Sequence, residues 1–390
     1  MNAARLTPAP RADRRWTESG IARTLAVLAL LFVFLAGVKG LGDGVTLLGR
    51  AALDSFFSAT SNPFIGLMVG LLATTLVQSS SVTTAMIVGL VAAPTDPLPI
   101  ASAVPMIMGA NIGTTVTNTV VSLAHMGQRD EFKRAFAVAT CHDFFNFITV
   151  AILLPIELMT GFLQRSATAI ASNIGHVGGV ELNNPLKDAL SFGLAPIKGA
   201  IGAVSDGRLT AILLILASGV LIYAALYFIV RVMRSSMEDR VESFVTRALG
   251  RSVLLSMFVG VVATVMVQSS SITTALLVPL AGAGLVTLRE AFPITVGANI
   301  GTTVTALLAS MAASGPNAEA ALTIALVHLL FNISGTVMIL PIPFMKNLPL
   351  AAATALASVA ARSRLWALVY VFGLFYLLPA LLALVEQVFW

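Results

Sequence analysis

The 390-residue sequence predicts an all-α polytopic membrane protein made of two inverted-topology repeats, each with a re-entrant helical hairpin and a broken helix. Three observations carry this expectation. Hydrophobic residues are 57% of the chain and charged residues 11%, with a mean hydropathy of +0.92, which leaves no soluble domain of useful size. The apolar windows 24–41, 209–230 and 365–385 reach the roughly 18 to 20 residues a helix needs to cross ~30 Å of hydrocarbon. Three polar blocks also recur in the same order in both halves.

Residues 1–19 read as a cytoplasmic tail carrying Arg5, Arg11, Arg14 and Arg15. A basic tail before an apolar run also fits a secretory signal. A shift of 190, however, lays 20–40 on the internal segment 210–230, so a retained first helix is expected. At that shift Gly70–Val91 (GLLATTLVQSSSVTTAMIVGLV) matches Gly260–Ala281 (GVVATVMVQSSSITTALLVPLA). At 188, GANIGTTVT at Gly109–Thr117 recurs unchanged at Gly297–Thr305, and at 186, His142–Pro155 matches His328–Pro341. Each half, 20–157 and 209–345, is therefore one structural unit. Between them, 158–208 reads as an external loop with an interfacial helix at 185–205, and 346–390 as a C-terminal loop and last transmembrane helix.

Loop charges choose the inverted arrangement, because cations concentrate on the cytoplasmic side. Arg129, Lys133 and Arg134 follow the first GANIGTT block, whereas the equivalent loop near 314–320 has only Glu319; before the blocks the bias reverses, with Asp96 in one half and Arg289 in the other. The chain then starts inside, crosses outward at 24–41, returns through 98–125, leaves through 135–157 and re-enters at 209–230. Arg231, Arg234, Arg240, Arg247, Arg251, Arg362 and Arg364 fall inside. With Arg251 and Arg289 on one face, 253–282 enters and leaves on that face as a re-entrant hairpin, and 63–93 does the same from the other. Arms of ~15 residues span about 22 Å, which puts the Gln-Ser-Ser-Ser tips (78–81 and 268–271) near the midplane.

A helix broken at such a tip leaves carbonyls and amides without intrahelical partners. Amides before Val82 and Ile272, with the serine hydroxyls, favour an anion, while hydroxyl, amide and carbonyl oxygens suit a hard cation such as Na⁺. Gly109, Gly113, Gly297 and Gly301 read as permitting a broken helix, and Thr114 with Thr117, like Thr302 with Thr305, put hydroxyls on one face. Neither polar block holds Arg or Lys, so a buried oxyanion needs bound cations to offset its charge, which points to cation–anion symport.

Blander readings stand beside these. Ser and Thr in membrane helices often bond back to the preceding turn, although four blocks in two equivalent pairs argue for a site. The equivalent pairs His142 with His328 and Asn146 with Asn332 fit interhelical hydrogen bonds or ligands alike. Asp143, whose counterpart is Leu329, reads as lying near a helix end or as a coupling acid. The one cysteine, Cys141, excludes an intramolecular disulfide and fits a small buried hydrophobe. Asn332-Ile333-Ser334 sits in an apolar run and is discounted as a glycosylation site. The glycine blocks lack the P-loop lysine and no HExxH or GxSxG occurs, so no enzyme is expected. A net charge of +5, clustered beside apolar runs, is an orientation signal and not a sign of nucleic acid.

The paired QSSS and GANIGTT blocks, with QRDEFKRAFAVATCHDFF at 128–145, closely resemble the type II sodium–phosphate cotransporters. That resemblance implies Na⁺-coupled symport of inorganic phosphate by alternating access, with Na⁺ as coupling ion, no other cofactor, and a homodimer whose protomers each hold a pathway. The implied phosphate set is Gln78, Ser79, Ser80, Ser81, Ser269, Ser270 and Ser271, joined by Asn111 and Asn299; the sodium set is Gln268, Ser269, Thr302 and Thr305, with Gln78, Thr114 and Thr117. Segment 158–208 lacks cysteine and an acceptor motif, which implies a bacterial-type member, multi-pass in the cell membrane with a cytoplasmic N-terminus. Symport of another oxyanion or a small carboxylate, or a channel with two polar re-entrant loops, stays open at this stage.

Overall fold

The computed structural model describes residues 20–48, 60–177, 185–250, 252–313 and 315–382, and the regular elements among them are all helical. The tail 1–19, Arg251 and the last eight residues lie outside the described residues, as do the side chains of Arg234 and Arg240. Helix α1 (Gly20–Leu48) leads to α2 (Pro63–Val77) and α3 (Ser80–Val91), then α4 (Ile100–Gly113), α5 (Val116–Ser122) and α6 (Arg129–Thr160). Helices α7 (Phe162–Val177) and α8 (Pro185–Gly202) join the halves. The second half holds α9 (Gly207–Ala248), α10 (Val253–Val267), α11 (Ser270–Ala275), α12 (Leu277–Gly282), α13 (Leu288–Ser310) and α14 (Ala318–Ile339). It is followed by α15 (Pro343–Ala360) and α16 (Arg364–Leu368), which continues as a π-helical stretch, Val369–Leu377. Among the described residues, seven helices are long and apolar enough to cross a membrane, including Ile21–Leu48, Gly207–Met233 and Arg364–Leu382.

The two halves repeat their local geometry closely. Helices α2 and α10 are both 15 residues long and both end on a glutamine in the left-handed region, Gln78 (φ 57°) and Gln268 (φ 56°). Each crosses the glycine-block helix of its own half at a reciprocal pair of glycines. A Cβ on Gly70 would lie 2.0 Å from the Met106 carbonyl oxygen and one on Gly109 1.9 Å from that of Leu67; the equivalent distances are 2.1 Å at Gly260 and 1.9 Å at Gly297. Gly109 and Gly297 thus serve close backbone approach, where the sequence suggested a helix break.

A break does occur in the first half, at Thr114–Thr115, but α13 runs through the second block unbroken. That corrects the expectation of a broken helix in each repeat. The following residues account for the difference: Asn118, Thr119, Val120 and Val121 are weak helix formers, whereas their counterparts Ala306, Leu307, Leu308 and Ala309 are strong ones. The second hairpin has its own break at Leu276, where the ring of Pro279 opposes the carbonyl of Ala275. Residues 346–360, expected to be loop, belong to α15.

The halves interlock. Helix α3 packs on α13 and α14, while α11 and α12 pack on α5 and α6. Each second arm is held at its far end by the other half. Arg134 of α6 donates to the carbonyls of Ala281 (3.1 Å) and Gly282 (2.5 and 3.1 Å), and Asn317, at the start of α14, donates to that of Ala93.

Candidate functional site

The two tips share one construction. Gln78 occupies the left-handed position that ends α2, and its Nε2 donates back to the Thr75 carbonyl at 2.5 Å. Gln268 Nε2 does the same to Val265 at 2.7 Å. Each amide thereby satisfies a carbonyl orphaned at a helix end. Among the described residues the only other non-glycine with positive φ is Asp96, so both tips hold their glutamines in a conformation other side chains avoid. The next residue caps the second arm. Ser79 Oγ accepts from the Val82 amide at 3.3 Å and Ser269 Oγ from that of Ile272 at 3.4 Å.

The glutamine oxygens tie the tips to the crossing helices. Thr117 Oγ1 donates to Gln78 Oε1 at 3.0 Å, and Thr305 Oγ1 to Gln268 Oε1 at 3.4 Å. Thr114 and Thr302 bond back to Ala110 (3.0 Å) and Ala298 (3.1 Å), as Ser and Thr in helices commonly do. Across the halves, Asn118 Nδ2 of α5 donates to Thr274 Oγ1 of α11 at 2.6 Å.

Both tips face a single cavity of about 370 Å³ lined by Gln78–Val82 and Gln268–Ile272, and by Tyr223, Tyr227 and Arg231 of α9. Ser80 and Ser270 are buried. Among the described residues the hydroxyls of Ser80, Ser81, Ser270 and Ser271 make no hydrogen bond to protein, in contrast to the capping Ser79 and Ser269. Four convergent hydroxyls without protein partners, beside two helix N-termini, can take an oxyanion.

The structure brings all the predicted tip residues together and separates two others from them. Asn111 and Asn299 do not line the cavity; with His142, Asn146, His328 and Asn332 they form a buried cluster in which no residue is more than 2% exposed. Asn299 Nδ2 donates to Asn146 Oδ1 (2.8 Å), Asn146 Nδ2 to the Asn111 carbonyl (2.8 Å) and Asn332 Nδ2 to Asn111 Oδ1 (3.0 Å), with His328 Nε2 at 3.3 Å from the same oxygen. Thus the repeated asparagines, with His328, make interhelical hydrogen bonds, while neither ring nitrogen of His142 has a partner. Asp143 lies well inside α6, not near its end, and is fully buried. Its Oδ2 accepts from Tyr370 Oη at 2.6 Å and Thr119 at 3.5 Å. Cys141 is buried, as expected.

Sequence reasoning missed Tyr376, whose hydroxyl accepts from Gln78 Nε2 at 3.3 Å, and the α9 wall. A signal for the wall was present. Tyr223, Tyr227 and Arg231 recur every four residues on a helix otherwise apolar there, so they share one face.

Among the described residues, seven helices long and apolar enough to cross a membrane, with a polar cavity at two repeated helix tips, define a multi-pass membrane protein. The profile of the Na⁺/Pi-cotransporter family matches residues 33–177 and 220–360, and the chain belongs to that family. It is 32% identical to sodium-dependent phosphate transport protein 2B of Pongo abelii over 448 residues, covering 92% of this chain and 65% of that protein. The Homo sapiens 2B protein is 32% identical over 449 residues (92% and 64%), and the Rattus norvegicus 2A protein 31% over 454 residues (98% and 71%). The chain therefore spans just under two thirds of the length of the 2B relatives. No solved structure matches it significantly.

Proposed function

We propose that the chain carries inorganic phosphate across the cell membrane by Na⁺-coupled symport, by alternating access of two inverted repeats, 20–157 and 209–345. The observation that supports this most is the shared cavity with its four unbonded tip hydroxyls, Ser80, Ser81, Ser270 and Ser271. The names of the 2A and 2B relatives supply sodium and phosphate. In this reading the tip serines and the amides at the starts of α3 and α11 hold phosphate. One sodium ion is held by oxygens of Gln268, Ser269, Thr302 and Thr305, and Gln78, Thr114 and Thr117 form its counterpart. Asn111 and Asn299 hold the framework and not the anion, because they lie in the buried amide cluster.

The cavity wall carries one cation, Arg231, against an anion of up to two negative charges. Sodium bound beside phosphate makes up the balance, which is why neither ion would load well alone. The N-terminus is cytoplasmic in this scheme, the hairpins 63–93 and 253–282 enter from opposite faces, and protomers pair as dimers with separate pathways. Radiolabelled phosphate entry into proteoliposomes, with and without an inward Na⁺ gradient, tests the central claim. Equal entry in both conditions removes sodium coupling; full competition by equimolar sulfate or a small carboxylate removes selectivity for phosphate.

A further inference from the structure

We propose that Arg231 is a phosphate-collecting residue at one mouth of the transport pathway, a positioning role in addition to the tip sites and resting on the phosphate reading above. Tyr223, Leu226, Tyr227, Val230 and Arg231 line the cavity from α9. Their spacing of i, i+3, i+4, i+7 and i+8 puts all five on one helix face. At 1.5 Å per residue, Arg231 lies about 12 Å further along the axis than Tyr223. It falls in the last turn of the apolar stretch Gly207–Met233, so the cavity lining extends from the buried serines to the end of that stretch.

Electrostatics gives the position its meaning. Arg231 is exposed whereas Ser80 and Ser270 are buried, and among the described residues no other charged residue lines the cavity. Among the described residues the ion pairs use Lys39, Lys198 and His125, and none uses Arg231. Its guanidinium is permanently charged, weakly hydrated, and forked to match oxyanions. A single unpaired cation at the rim of a low-dielectric cleft raises the local concentration of anions there. Tyr223 and Tyr227 share this wall and supply amphipathic surface without a competing charge. The site thus divides its work: a fixed cation gathers phosphate at one face, and sodium ions accompany it at the tips.

The test compares Arg231→Gln, Arg231→Lys and Arg231→Glu with the unsubstituted chain, in right-side-out and inverted vesicles from the same cells, at saturating Na⁺. The KM for phosphate should rise roughly three- to tenfold in Arg231→Gln, rise further in Arg231→Glu, and stay near the original in Arg231→Lys. The rise should occur only in the vesicles that load phosphate from the Arg231 face, with kcat and the sodium half-saturation kept. Added choline chloride should raise the KM of the unsubstituted chain on that face and leave Arg231→Gln flat, because only an exposed charge is screened. A KM insensitive to both substitution and salt overturns the role and leaves Arg231 as an interfacial anchor. Absence of Na⁺-dependent phosphate flux in the unsubstituted chain overturns instead the function on which this role rests.

Discussion

Replacing Gly109 with alanine tests whether the glycine blocks exist for helix approach. The added Cβ would sit 1.9 Å from the Leu67 carbonyl oxygen, where ordinary contact begins at 3.4 Å, so α2 and α4 would have to separate by about 1.5 Å. The obstacle is backbone on a crossing helix and cannot rotate away. Overpacking of this kind costs about 1–3 kcal/mol, and a rigid neighbour places the cost near the upper end. A loss of about 3 kcal/mol corresponds to a fall in melting temperature of roughly 3–4 °C for a chain of this size. Thermal unfolding of the purified protein in detergent reads it directly. Gly199→Ala in α8 is the control, since nothing lies within 4 Å of its Cβ and alanine favours the helix there by up to ~1 kcal/mol. If Gly109→Ala melts no lower than Gly199→Ala, close approach is not what the glycine provides.

Other substitutions separate stability from transport. Ser80→Ala with Ser270→Ala removes hydroxyls that bond no protein group, so unfolding should move by less than about 0.5 kcal/mol; losing two bonds to a charged ligand, at about 1.5 kcal/mol each or more, should cut Na⁺-driven phosphate uptake by roughly a hundredfold in kcat/KM. Asn146→Leu strands Asn299 Nδ2 and the Asn111 carbonyl and should cost about 2–5 kcal/mol in chemical unfolding, far more than the serine pair. Tyr370→Phe removes the 2.6 Å donor from Asp143 and should cost about 1–3 kcal/mol; adding Asp143→Asn should recover part of it, so that a double-mutant cycle gives a coupling above about 0.5 kcal/mol.

What the sequence revealed depended on repetition. The tips were legible because QSSS recurs at a fixed shift in apolar surroundings, and all eight residues meet at one cavity. The equivalent threonines Thr117 and Thr305 were legible for the same reason, and both reach the glutamine oxygens. Repetition misled where the halves diverge locally: α13 stays whole because its helix formers are better than those after Thr115, and Pro279 breaks an arm that is continuous in the other half. Pairings across the repeats were not legible. Asn111 shares a block with Thr114, yet an α-helix turns successive residues by about 100°, and this one carries Asn111 to Asn332. Tyr370 and Tyr376 lie in neither repeat, so no internal comparison could have drawn them to Asp143 and Gln78.

The four polar residues of each tip perform three different tasks, and this division explains why the block has this composition. A left-handed residue is needed to end the first arm, and glycine would supply it at least conformational cost. Glutamine adopts it instead at both tips, which costs about 1–2 kcal/mol relative to an ordinary helical residue. Its amide nitrogen offsets this by capping the arm, and its oxygen binds the threonine of the crossing helix. A glycine tip would be cheaper locally but unconnected to that helix. The first serine is consumed as the N-cap of the second arm. Of the tip hydroxyls only those of the last two serines make no bond to protein, so each tip presents two of them to an oxyanion, and one tip alone would not surround a tetrahedral one. Two tips facing one cavity can, and the Asn118–Thr274 bond from α5 to α11 helps hold the halves in the arrangement that brings them together. Under the proposed symport, occupancy of the site would depend on the relative position of the halves, the dependence a carrier requires if its ligand is to favour one arrangement over another.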